Sequence, residues 1–150
     1  SRGSGIMAKM SIVFKGFDDL ITQIDRAGGD MRQAVDEALE KTQEYIASNV
    51  ESAAAVYASG GRKGYATGKM YASRIGKQGV KWQGDVAEVN VGFNLQAPGG
   101  YHSIFIMYGT PRIAKDSAVF NAIKGSATKK EIERIQSEVL EKYLSLTKGG

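Results

Sequence analysis

The residues able to do chemistry in this chain are few and widely spaced. Its single histidine, His102, lies inside the run YHSIFIMY with no acid beside it. One histidine builds neither a nucleophilic relay nor a metal cluster, so a packed or rim histidine is the expectation. The paired acids Asp18-Asp19 and Asp36-Glu37 have the composition of a general acid and general base, but each pair falls on an amphipathic pattern where a solvated face is the simpler reading. The chain has no cysteine, which excludes disulfides, thiol nucleophiles and Cys-ligated zinc. Gly68-Lys69-Met70 and Gly76-Lys77-Gln78 lack the Ser or Thr that would hold magnesium, and no GxxxxGK[ST] spacing occurs, so nucleotide hydrolysis is not expected. The expectation is a protein with no catalytic residue, no metal and no cofactor, and therefore not an enzyme.

What remains is binding chemistry. Residues 59–79 hold six glycines together with Arg62, Lys63, Lys69, Arg74 and Lys77, and no acid. Glycine supplies backbone freedom and like charges oppose collapse, so this stretch, with Thr67 and Gly68 near its middle, predicts a flexible arm that orders on a protein or a phosphate backbone. Trp82 beside Lys81, and Tyr65 and Tyr71 among the cations, are the basic-aromatic interleavings that could stack on single-stranded nucleic acid. A small basic nucleic-acid-binding module is the alternative reading they carry.

The chain as a whole permits either partner. Its 150 residues are 42% hydrophobic and 24% charged, the profile of one soluble domain able to bury a core, and Lys plus Arg exceed Asp plus Glu by 20 to 16, a net +4 that does not by itself demand an anionic partner. Residues 1–6 read as an expression scar and 7–150 as a single α+β domain; no apolar stretch reaches membrane-span length.

The elements that must position these residues follow from periodicity. Ser11 to Lys15 alternates as a short strand, and Phe17 to Arg26 places Phe17, Leu20, Ile21 and Ile24 at helical spacing. Asp30 is an N-cap candidate for a long amphipathic helix of about 25 residues, the main packing element. Val80–Gln83 and Ala87–Phe93 flank Gly84-Asp85 as a hairpin, with Ala87, Val89, Val91 and Phe93 on one face. Tyr101–Tyr108 is apolar on nearly both faces and β-rich, which predicts a central strand ended by Gly109-Thr110-Pro111. Ser117–Lys124 and Thr128–Leu146 read as helices, the second opened by a Thr128/Glu131 capping box. The expected fold is α+β: a small antiparallel sheet of about four strands packed on one long N-terminal helix, with C-terminal helices.

Three segments in fixed order, SIVFKGFDDLITQID, ATGKMYASRI and YHSIFIMYGT, together resemble the head-tail joining, or tail-completion, proteins of tailed bacteriophages and prophages. Thr67, Gly68, Met70, Ser73 and Ile75 match that family's loop element; Tyr101, Tyr108, Gly109 and Thr110 match its closing strand. Met107 departs from the pattern where the family often has a carboxylate, and Phe120 lies in the helix approach that is elsewhere rich in Pro and Phe. The resemblance implies a minor structural protein of the virion neck, assembled from the host cytoplasm as a ring around the DNA channel. Its implied partners are a head-completion or connector protein, a tail-terminator or tail-tube protein, and copies of itself, with non-specific contact to DNA in the lumen and no membrane. It also implies assembly-interface residues at Tyr101, Tyr108, Gly109, Thr110 and Phe120, and a partner- or DNA-facing loop carrying Arg62, Lys63, Thr67, Gly68, Lys69, Arg74 and Lys77.

Overall fold

A computed structural model describes residues 10–13, 17–58 and 68–149. Strand β1 (Ser11–Val13) leads to helix α1 (Asp18–Arg26), which leads to helix α2 (Met31–Ala53) and a 3-10 turn at Ala55–Tyr57. After the segment outside the described residues come a short helix α3 (Lys69–Ala72), strands β2 (Lys81–Gln83) and β3 (Val86–Asn90), and helices α4 (His102–Tyr108), α5 (Ser117–Lys124) and α6 (Ser126–Gly149). The class is α+β, mostly helical, with an antiparallel sheet ordered β1-β3-β2.

Helix α2 starts where its cap chemistry requires. Asp30 is extended and its carboxylate accepts from the amide of Gln33, satisfying one of the first-turn donors that no carbonyl can reach. Its 23 residues bury two stripes. Val35, Leu39, Ile46 and Val50 face a core shared with Val89, Val91 and Phe93. Ala34 belongs to a second cluster with Ile24 of α1 and Leu140 of α6, and Ala38 and Thr42 are likewise fully buried. Small side chains there let α6 approach closely, and the pairs Thr42–Gln136 and Glu37–Tyr143 show that α6 runs antiparallel to α2.

A helix covered on two sides must also satisfy the polar groups it buries. Gln43 is 1% exposed. Its amide donates to the carbonyl of Asn90 at 2.8 Å and its carbonyl accepts from the amide of Gln78 at 2.9 Å, tying α2 to the end of β3 and to the approach to β2. The Thr42 hydroxyl donates to Ala38 O and accepts from Gln136.

Several expectations change. Tyr101–Tyr108 is helix α4, not a central strand: Ser103, Ile106 and Met107 are buried at i, i+3, i+4 while Tyr101, Phe105 and Tyr108 are exposed at i, i+4, i+7, so the helical period was hidden by counting solvent-facing aromatics as core. The sheet therefore has three strands among the described residues rather than about four; a single antiparallel bridge, Arg74 to Phe93, adds pairing beyond β3. The long helix is not alone, because α6 runs 24 residues beside it. The Thr128/Glu131 capping box does not form. Helix α6 begins at Ser126, the Thr128 hydroxyl donates to Asn121 O, and Glu131 instead engages Arg134. The strand expected to reach Phe93 ends at Asn90, although Val91 and Phe93 stay buried past it.

Two stability outcomes follow from these bonds. Gln43→Leu strands the Asn90 carbonyl and the Gln78 amide, and urea unfolding is expected to read a loss of roughly 1–3 kcal/mol. Glu37 accepts from Lys142 and Tyr143 and pairs with Lys41 at 3.3 Å. Lys142 above all, helped by Tyr143 and Lys41 against a raising effect of burial, holds the Glu37 carboxyl at about 2, below its ordinary 4.5. Burial and then the bond to Glu37 push the Tyr143 phenol up to about 12. A carboxyl depressed in the fold binds fewer protons folded than unfolded between these values, so its stabilisation is complete above pH 4.5 and is lost as pH falls toward 2. In urea titrations across that window Glu37→Gln is expected to flatten the fall relative to wild type.

Candidate assembly surface

Helix α4 owes its exposed face to what surrounds it. The Ser103 hydroxyl donates to Gly100 O inside the first turn, and Ile106 and Met107 go into the main core, which turns Tyr101, Phe105 and Tyr108 outward. These three are 54%, 38% and 51% exposed. His102 sits among them at the rim: its ring centroid is 4.5 Å from that of Tyr101 and 6.4 Å from that of Phe105, while Tyr101 and Phe105 meet edge to face at 6.0 Å.

The ridge continues onto α5. Tyr108 meets the half-buried Phe120 edge to face at 5.6 Å, and the ammonium of Lys115 lies 3.7 Å from the Phe120 ring centroid. Asp116 fixes where α5 begins. One carboxylate oxygen accepts from the amides of Ala118 and Val119, and the other accepts from the hydroxyl of the buried Tyr57. The Asp116 amide in turn donates to Ile106 O at 2.8 Å, which locks α4 to α5.

Gly109 and Thr110 make the turn between them. Gly109 adopts φ 79, ψ 166, a region in effect restricted to glycine, and donates to Phe105 O. Thr110 exchanges backbone bonds with Ile113, and its hydroxyl accepts from the amides of Arg112 and Ile113. The structure thus brings Tyr101, Tyr108 and Phe120 onto one surface and gives Gly109 and Thr110 the task of shaping it. Phe105 and Lys115 belong to the same surface although sequence reading did not select them; the i, i+4, i+7 spacing of Tyr101, Phe105 and Tyr108 is the signal that would have found the first.

The basic stretch divides. Arg62, Lys63 and Thr67, with Tyr65, lie outside the described residues. Gly68, at φ 81, caps α3, and a Cβ on it would run into the carbonyl oxygen of Ala58. Beyond it the chain is anchored: Met70 and Ile75 are buried, the Ile75 amide donates to Gly92 O, and the Asn94 amide donates to Ser73 O. Lys69 is exposed on α3. Arg74 is half-buried, donates to Tyr71 O and lies 3.7 Å over the Tyr71 ring, and Lys77 is 3.7 Å from Glu44. Trp82 is similarly engaged, donating to Asp36 at 2.7 Å under the guanidinium of Arg32 at 4.0 Å.

Among the described residues no group of three or more His, Cys, Asp or Glu side chains could hold a metal ion, and no helix is long and apolar enough to cross a membrane. No protein-family model, no curated protein and no solved structure matches the chain. A substitution tests whether the turn shapes the ridge. Gly109→Ala forces a side chain into that backbone region, within 3.0 Å of the Lys115 amide. Thermal or urea unfolding is expected to show a loss of about 1–3 kcal/mol.

Proposed function

We propose that this protein is a non-enzymatic structural subunit of a phage or prophage virion, joining head connector to tail as a ring subunit around the DNA channel. The observation that carries the reading is the aromatic ridge. A helix that places Tyr101, Phe105 and Tyr108 on its solvent face, continued by Phe120, has the character of a protein interface, where aromatic side chains are enriched. Three of the five residues for which the family resemblance implies an interface are on it, and the other two form its turn. In this reading the ridge contacts head-completion, tail-terminator or tail-tube protein, or another subunit. In this reading the arm carries Arg62, Lys63 and Lys69, while Arg74 lies over the Tyr71 ring and Lys77 lies 3.7 Å from Glu44.

The nucleic-acid alternative is less well supported. A stacking platform needs an open ring face, and Trp82 and Tyr71 each already carry a guanidinium on one face.

The test is electron microscopy of particles from a phage or induced prophage in which the gene has been deleted. DNA-filled heads lying beside separate, complete tails are the expected result. Normal, infectious virions would overturn the proposal.

A further inference from the structure

The antiparallel α2 and α6 make a rod about 34 Å long at 1.5 Å per residue, and opposite charges gather at its two ends. At one end α1 packs where Glu37 meets Tyr143, and residues 18–30 carry Asp18, Asp19 and Asp25 against Arg26 alone, all of them exposed, beside the Asp30 that caps α2. Lys142, on α6 at that end, is held by Glu37. At the other end Asn49 of α2 donates to Ala122 O of α5, and residues 111–130 carry Arg112, Lys115, Lys124, Lys129 and Lys130, all exposed. Asp116 in that stretch is committed to Tyr57 and to the α5 cap, and Glu131 just beyond it to Arg134; exposed Glu51 and Glu133 lie nearby, and the five cations outnumber them.

Lys129 and Lys130 follow directly on the first turn of α6, a turn without an acid. The cations are also continuous with the ridge: Lys115 lies over Phe120, Phe120 packs on Tyr108, and Lys124 follows Phe120 by one helical turn. An aromatic ridge flanked by lysines suits a carboxylate-rich protein surface, which tyrosine hydroxyls and ammonium groups can both reach while the rings supply apolar contact.

We propose that the occupant of this surface is a second copy of the chain, whose acidic α1 end docks on the ridge and lysines of the first. Such a contact is head to tail, two different patches meeting, and so can repeat from copy to copy. It deepens the ring reading by assigning its interface, but it rests on the charge distribution and can be tested with the purified protein.

Sedimentation velocity provides the test with two double variants, Lys115→Ala/Lys124→Ala and Asp19→Ala/Asp25→Ala, each checked by circular dichroism for wild-type helix content. Wild type is expected to form species larger than a monomer that shrink as salt rises, since exposed charges are screened within about 10 Å at 0.1 M. Each variant alone is expected to associate at least tenfold more weakly. An equimolar mixture, which retains one intact acidic end and one intact basic end, is expected to recover dimers that grow no further. Wild-type association by the Asp variant alone would mean that the acidic end takes no part, and would overturn the proposal. So would a wild type that stays monomeric to about 1 mM, or one that instead shifts a short DNA duplex at low salt through the same lysines. Monomeric wild type would leave the neck reading to a ring formed only on its template, whereas normal virions from the deleted phage would end the neck reading and leave self-association standing.

Discussion

Helix α2 is covered along two flanks at once, and the other elements take their places from it. A helix packed on one side can slide or rotate at modest cost. This one has branched aliphatics against the sheet and Ala34, Ala38 and Thr42 buried on another stripe, so both contacts fix its rotation. The same enclosure forces Thr42 and Gln43 to find protein partners instead of water, and their bonds fix its register along the axis against α6 and β3. With the length of α2 used for packing, variable chemistry is left to the ends of the molecule, where α1 and the α4–α5 pair sit.

Much of this was legible in residue type and spacing, because the signals were local. Asp30 caps α2 through a carboxylate-to-amide bond that depends only on three following residues, and alternation in Ala87 and Val89 marks the buried face of β3. Tyr101–Tyr108 misled because aromatic and β-branched residues suit a strand and are ordinarily counted as core; only knowing that Tyr101, Phe105 and Tyr108 face outward exposes the helical period. Thr128 looks like a cap from sequence but lies inside the first turns of a helix that follows α5 almost without a break, so its hydroxyl serves Asn121 instead. The bonds of Gln43 with Asn90 and Gln78 and that of Gln136 with Thr42 join residues far apart in the chain, and no local pattern announces them.

Tyr101, Tyr108 and Phe120 were selected by motif and meet in space, while Gly109 and Thr110 earn their place as backbone chemistry and not as contacts. Arg74 and Lys77 looked like free cations because composition counts charges without their partners, and Tyr71 and Glu44 supply those partners. A net charge of +4 likewise conceals how unevenly acids and bases are distributed between the two ends of the fold.

Gly68 approaches Ala58 closely. Where two points of a fold already touch, the chain between them can change in length while the fold keeps its anchors, since doubling a flexible connection costs only about 0.6 kcal/mol. The anchors are Ala58 and Gly68, so a change in the length of chain between them leaves the core formed by α2, α6 and the sheet as it is.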